Sequence, residues 1–410
     1  MKKIELSQNK SFLINPENGK WGISSTKKIG ELEEKLRDPL PKKEYLGTRL
    51  IVINSSNKCN LDCVYCSEKE HRMNSEEMTY EIAKKIVDRS IEDQYNPEIV
   101  FHGSEPTRNF DFIKKVIFYG YEKSRELNKR IRFSIQSNLA EIPEDFLDFI
   151  KEYSVGVSTS IDGTREIHDK LRPYKGQVSS FEDIFSNAKR ILNQQGTLNV
   201  VTVITKFNVK MLNEISDFFE SEGITSWQTI PVEKSHFYAP EPQILGESYT
   251  QFFDKIFSKI EEKKQRLEIK SLAQYLSSIF FHNGIDSCRI CSSSNFHPLI
   301  AIDQEGDAYP CDYFWGDKKF KIGNVTNQSL KEIVDNPSNL RMRDINETNC
   351  SVCTWKMICG GGCLAGSYES NNEKPPYCLT HKIVYDYLSK KMPELIGKDL
   401  INPVLSWLIK

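Results

Sequence analysis

Between Arg49 and Ile230 the chain alternates short apolar runs with longer amphipathic stretches, and this alternation restricts the fold more than any other feature. The strand-like runs are Arg49–Ile53, Glu98–His102, Ile131–Gln136, Val155–Ser160, Leu198–Thr205 and Thr225–Ile230. Helical patterns lie between them. The first opens at a Ser75 N-cap, with Glu76 and Glu77 suited to the helix dipole; the others are Asp111–Leu127, Glu144–Lys151, Ser180–Gln195 and Val209–Gly223. Six strands separated by five helices imply parallel βαβ units with right-handed crossovers. Six units are too few for the usual eight-stranded barrel, so the pattern predicts an α/β fold, an open, partial (βα)6 barrel of TIM type over residues 48–231. Ligands of such sheets sit at the C-terminal ends of the strands.

The flanks read differently. In residues 1–47, Phe12–Ile14 and Trp21–Ile23 surround Pro16-Glu17-Asn18-Gly19, a hairpin signal, and Glu31–Arg37 gives charged helical turns. A hairpin packed on the barrel is favoured there over a partner-recognition element. Residues 232–285 form a helical bridge, residues 286–385 a small Cys-rich domain, and residues 386–410 a tail. In that tail Val404, Leu405, Trp407, Leu408 and Ile409 form an apolar cluster expected to pack on the body. Lys plus Arg number 55 and Asp plus Glu 57, a formal net charge of −2, which excludes a global basic field for nucleic acid. No apolar window approaches the ~18 residues of a membrane span. MKKIELSQNK has no apolar stretch behind its lysines, so a secretory signal is not expected and the cytoplasm is.

Eleven cysteines, an odd number, point in a reducing compartment to metal or catalysis rather than disulfides. Three stand in Cys59-Asn60-Leu61-Asp62-Cys63-Val64-Tyr65-Cys66, a C-x3-C-x2-C loop shortly after the first strand. Three thiolates can hold three irons of a cubane that normally takes four cysteines. The missing fourth leaves one iron open, as a catalytic metal site does. The same loop could supply a structural zinc knuckle completed from elsewhere; its place at the head of a βα series favours the cluster.

This motif resembles that of the radical S-adenosylmethionine (radical SAM) enzymes. The resemblance implies a cubane whose open iron is chelated by S-adenosyl-L-methionine, and a 5′-deoxyadenosyl radical that abstracts hydrogen from substrate. It continues at successive strand ends. Tyr65 matches the aromatic residue before the third cysteine, and Phe101-His102-Gly103-Ser104-Glu105-Pro106 is similar to the Gly-Gly-Glu-Pro motif that binds the cofactor's amino group, with Ser104 in place of a glycine. Gln136-Ser137-Asn138 stands where the family has Gln-Thr-Asn-Gly, with Leu139 replacing the glycine. Ser160 and Asp162, with His168 and Arg172 downstream, fall where related enzymes meet the cofactor's ribose or carboxylate. For any one of these residues a capping or turn role competes with ligand contact.

The C-terminal spacing Cys350-x2-Cys353-x5-Cys359-x3-Cys363, then Cys378, preceded by Cys291 and Cys311, resembles the SPASM extension of radical SAM enzymes that modify peptides; Cys288 adds an eighth cysteine. The family's pattern implies one auxiliary [4Fe-4S] cluster on Cys288, Cys291, Cys311 and Cys363, and another on Cys350, Cys353, Cys359 and Cys378. With the SAM-binding cluster, that makes three [4Fe-4S] clusters. Two four-cysteine zinc sites are the alternative. Asp312 stands where sulfatase-maturing enzymes have the base that deprotonates substrate, against a turn-capping role; His102 is a candidate substrate contact, against satisfying strand-end backbone.

The resemblance implies a peptide maturase that abstracts hydrogen from a ribosomally synthesised precursor peptide and forms an intramolecular thioether, C-C or C-O cross-link. It also implies an electron donor of flavodoxin or ferredoxin type, and no nucleic-acid or membrane partner. The alternative is an anaerobic sulfatase-maturing enzyme that oxidises Cys or Ser to formylglycine. A non-catalytic iron–sulfur electron carrier is a third reading, and it has no use for the strand-end motifs.

Overall fold

The computed structural model describes residues 1–7, 9–38, 48, 50–66, 77–233, 236–282, 284–285, 299–335, 350–369 and 376–408. The expected Ser75 cap with Glu76, the ligands Cys288 and Cys291, and Ile409 lie outside the described residues.

A three-stranded antiparallel sheet comes first: β1 (Lys2–Ser7), β2 (Lys10–Ile14) and β3 (Trp21–Ser25). The expected hairpin is β2–β3, and β1 adds a strand the sequence pattern did not reveal. This sheet docks on the bridge and the C-terminal region. Trp21 Nε1 donates to the Ile279 carbonyl at 2.9 Å, and Lys356 Nζ lies 3.1 Å from Glu17 Oε2.

The barrel strands are β4 (Leu50–Asn54), β5 (Glu98–His102), β6 (Arg132–Gln136), β7 (Gly156–Ser160), β8 (Asn199–Ile204) and β9 (Ser226–Pro231). They lie side by side in chain order and are all parallel. The parallel run is longer than expected. Two-residue β10 (Glu268–Ile269) extends it beyond β9, and β11 (Leu299–Ile302) adds on the other side of β4. Antiparallel β12 (Asp307–Tyr309) and β13 (Gly323–Asn324) complete a ten-stranded sheet whose end strands are β10 and β13, so the barrel is open. The Cys-rich region thus contributes three strands to the barrel's own sheet, of which β11 joins the parallel run.

Helices cover the outside because their apolar residues recur on one face. In the helix Phe110–Glu126, Ile113, Val116, Ile117, Gly120 and Ser124 are buried. Each fully buried aliphatic side chain on such a face contributes about 1.5–3 kcal/mol. The bridge consists of the helices Pro242–Glu261 and Lys270–Phe281. The helix Cys378–Gly397 packs along Pro242–Glu261 and runs through the 385/386 boundary expected from the sequence. Val404 and Trp407 are buried, and Lys270 Nζ donates to the Trp407 carbonyl. No helix among the described residues is long and apolar enough to cross a membrane.

Candidate active site

The loop after β4 carries Cys59, Cys63 and Cys66, and its backbone is fastened across the barrel mouth. Asp62 N donates to the Pro173 carbonyl at 2.8 Å and Val64 N to the Leu171 carbonyl at 2.9 Å. All three cysteines line a cavity of about 670 Å³, together with His102, Gly103, Ser104, Ser137, Asn138, Ser160, Tyr65, Arg172 and Asp312. Burial pushes the Cys63 thiol up to about 11, the Arg172 guanidinium opposing. Metal binding at this loop must therefore displace protons.

After β5 the chain turns at Gly103, whose φ of +106° is open to glycine; a Cβ there would stand 2.5 Å from Asn54 Oδ1. Ser104 faces the cavity, and its buried Oγ has no hydrogen-bond partner among the described residues. Glu105 follows on the same turn. It is fully buried behind the cavity wall, where its carboxylate accepts from Ser137 Oγ (2.8 Å), Asn138 N (2.7 Å), Thr107 Oγ1 (2.7 Å) and Thr107 N (3.1 Å). Burial raises its pKa and those donors oppose the rise. Glu105 thus splices the end of β5 to the turn after β6, and the neighbouring Pro106 is buried as the first residue of a short helical turn. In the spliced turn Asn138 Nδ2 reaches Asn60 Oδ1 at 2.9 Å and Cys59 Sγ at 3.7 Å. Leu139 has φ +58°, the conformation a glycine would take without strain, at a cost of roughly 1–2 kcal/mol. Its buried side chain and the bond from Asn187 Nδ2 to its carbonyl, 2.9 Å, hold it there.

Asp162 also lies behind the wall. It accepts from the Tyr65 hydroxyl and, at 2.9 Å, from Val203 N, with Arg172 Nη1 4.0 Å away. Burial raises its pKa against the pull of Arg172. Arg172 Nη1 donates to the Tyr65 oxygen at 2.6 Å, while its buried Nε has no partner among the described residues. Tyr65 and Arg172 therefore face the cavity, and Asp162 aligns them. His168 is structural: Asp162 N donates to its Nδ1 at 3.4 Å, and burial pushes its pKa down to about 3, so it is neutral. Ser160 lines the cavity and its Oγ accepts from Gln136 Nε2 at 3.3 Å.

Sequence motifs did not reveal the cavity's side walls. Alternate residues of each strand point inward: Glu98 and Val100, Ser134 and Gln136, Ser158, Asn199 and Val201, Gln228 and Ile230. The signal was present as polar residues (Glu98, Ser134, Gln136, Ser158, Asn199 and Gln228) on the inward-facing alternate positions of largely apolar strands. Across the cavity, His102 at the end of β5 and Asp312 after β12 come together, with His102 Nδ1 3.6 Å from Asp312 Oδ2. These two residues, 210 apart in the sequence, are neighbours because β11 pairs with β4 and β12 with β11.

The residues fit a sulfur-ligated cluster with an open position. Three thiols share one cavity with buried polar atoms of Ser104 and Arg172 that have no partner among the described residues, the mark of a polar ligand's seat. Farther on, Cys350, Cys353, Cys359 and Cys378 line a second, smaller cavity. Cys311 and Cys363 meet in a separate apolar cluster with Trp315 and Phe314. Gly360, Gly361 and Gly362, all at positive φ, make the turn that sends Cys359 to one group and Cys363 to the other. Glycines of this conformation are the only residues that adopt it without strain.

Residues 53–219 match the radical SAM superfamily, and residues 291–354 match SPASM, an iron–sulfur cluster-binding domain. The cysteine-type anaerobic sulfatase-maturating enzyme of Clostridium novyi (strain NT) is 28% identical over 333 residues, covering 77% of this chain and 87% of that protein. Among solved structures, native anSMEcpe with bound AdoMet and Cp18Cys peptide is similar at TM-score 0.73 and 22% identity, covering 87% of this chain and 99% of that one. Streptococcus suis SuiB bound to precursor peptide SuiA is similar at TM-score 0.60 and 16% identity, covering 92% and 100%. At these identities the likeness to the solved structures is one of fold.

Proposed function

This chain is a radical SAM enzyme with a SPASM iron–sulfur domain, and from that premise we propose that it oxidises a polypeptide, forming an intramolecular thioether, C-C or C-O cross-link. The observation that carries the reading is the meeting of His102 and Asp312 in the cavity that Cys59, Cys63 and Cys66 also line. When bound, a cluster on those three cysteines with S-adenosylmethionine supplies hydrogen-atom abstraction, and clusters on the eight C-terminal cysteines supply one-electron transfer. The chain's own residues do the rest. Gly103, Ser104, Ser137, Asn138, Ser160, Tyr65 and Arg172 shape the cofactor seat, held in place by Glu105 and Asp162 from behind. Asp312 takes the substrate proton that must leave with the second electron, and His102, whose Nδ1 lies 3.6 Å from Asp312 Oδ2, contacts substrate in the same space. The polypeptide class draws on relatives in which a precursor peptide or a Cp18Cys peptide is bound. The reading places the enzyme in the cytoplasm, with a flavodoxin or ferredoxin as reductant.

Formylglycine formation is the second reading, favoured by the higher structural similarity to anSMEcpe than to SuiB. The Leu139 departure does not separate the two, since the backbone there keeps the glycine-like turn. Co-expression with a candidate precursor, followed by tandem mass spectrometry, does. Loss of two hydrogens per linkage, with no fragmentation between the linked residues, is expected, and a hydrazide-reactive aldehyde hands the function to the second reading. Asp312→Asn should still release 5′-deoxyadenosine but lose most product; full product yield removes Asp312 from the mechanism.

A further inference from the structure

Beside the cavity mouth stands a feature the mechanism does not use. The segment after β9 leaves the cavity at Val232 and Glu233 and then presents Phe237, which is 78% exposed. Phe237 stacks edge-on against Tyr238 (ring centroids 5.2 Å apart), and Tyr238 lies 5.5 Å from Phe207, which follows β8. Lys206 N donates to the Tyr238 carbonyl at 2.8 Å, so the two strand ends form one platform. Two ammonium groups are held on it: Lys206 Nζ lies 3.6 Å from the Phe237 centroid and Lys170 Nζ 3.8 Å from the Phe207 centroid. Among the described residues no carboxylate lies within 4.0 Å of either Nζ, whereas many other surface lysines of this chain are paired with acids.

We propose that this lysine–aromatic platform binds the substrate polypeptide beside its reacting residue, recognising an acidic side chain next to an aromatic or large apolar one. The inference rests on the polypeptide reading of the cavity. Its physical case is complementarity. The exposed Phe237 ring gains by leaving water against an apolar partner. Lys170 and Lys206, already positioned over rings, lose little further freedom on meeting a carboxylate. The cavity wall itself offers acids (Glu98, Glu233, Asp312) and one arginine, so an anionic recognition element is seated more favourably on the rim than inside. Continuity through Val232 and Glu233 assigns the platform to the chain that enters the cavity.

The test uses the anaerobically reconstituted full-length enzyme and synthetic peptides with a central Cys. One series carries a Glu-Phe pair at successive positions on either side of the Cys, and its control carries Gln-Ser. Binding is read by fluorescence anisotropy, and KM with dithionite as reductant. Lys206→Glu and Phe237→Ala should each weaken the best Glu-Phe peptide about tenfold. Binding of the control peptide and peptide-free 5′-deoxyadenosine release should stay unchanged, and Lys206→Arg should retain affinity. Equal affinity of wild type for both series, or equal loss on both in the variants, overturns the platform while leaving the polypeptide reading intact. A wild type that binds neither series overturns both. A defect that appears only with flavodoxin as reductant, and vanishes with dithionite, overturns the proposal by giving the platform to the electron donor.

Discussion

The barrel mouth and the Cys-rich region both gather cysteines, yet they are built on opposite principles. At the mouth most functional side chains follow the ends of parallel strands, with Arg172 after a helix and Asp312 after antiparallel β12, and buried polar hubs lock the ends to one another: Glu105 ties β5 to β6, and Asp162 ties the cysteine loop to β8 through Tyr65 and Val203. Among the described residues, the Cys-rich region has strands of two to four residues, helices of four and six residues, and a run of left-handed glycines around its thiols. Hydrogen bonds preform the first site; the second leaves more of its shape to whatever its sulfurs bind. A chain can thus carry one site that the fold makes and another that helps make the fold.

The sharpest break of that contrast comes from cysteine replacement. Changing Cys59, Cys63 and Cys66 together to Ala should reduce 5′-deoxyadenosine release to background while leaving the circular dichroism and thermal midpoint near wild type. About four irons should be lost from a total near twelve. Replacing Cys353 and Cys378 should do the reverse, lowering the midpoint by more than ~5 °C in calorimetry. If the two variants melt alike, the two sites are not built differently.

Glu105→Gln sharpens the comparison within the mouth. An amide cannot accept from all four donors, so the β5–β6 splice should weaken by about 1–3 kcal/mol in chemical denaturation. The KM for S-adenosylmethionine should rise with iron content unchanged. A direct cofactor ligand would raise KM without touching stability, and that outcome would move Glu105 into the cavity wall. The smallest effect is expected at Leu139. Leu139→Gly relieves about 1–2 kcal/mol of backbone strain against about 1.5–3 kcal/mol of lost burial. Leu139→Ala loses the burial and keeps the strain, so Ala should be the less stable variant of the two. If Gly proves the less stable, the turn is not strained.

How much of this the sequence disclosed follows from what a motif encodes. The strands β4–β9 were legible because six apolar runs recur between amphipathic helices, and the motif residues fall at their ends. Which way a motif residue points was not legible. Glu105 and Asp162 sit in cofactor-like motifs but turn their carboxylates into the protein, because buried amides and hydroxyls there need acceptors. β10 and β11, two and four residues long, are too short for any period to show, so the eight-strand parallel run and the approach of Asp312 to His102 came only with the fold.

The helix Cys378–Gly397 begins at a cysteine of the second cavity, and its buried Val384, Leu388 and Met392 lie on the face it turns to the body. Its 20 residues reach about 30 Å, from the sulfur cavity along the back of the bridge. On the proposed cluster reading, occupancy at one end would bear on the grip at the other. With a metal held on Cys378, a copy lacking it would have a helix unmoored at its first turn, and fraying from that turn would open backbone to cleavage. Proteolysis could therefore sort loaded from unloaded molecules before either meets a substrate.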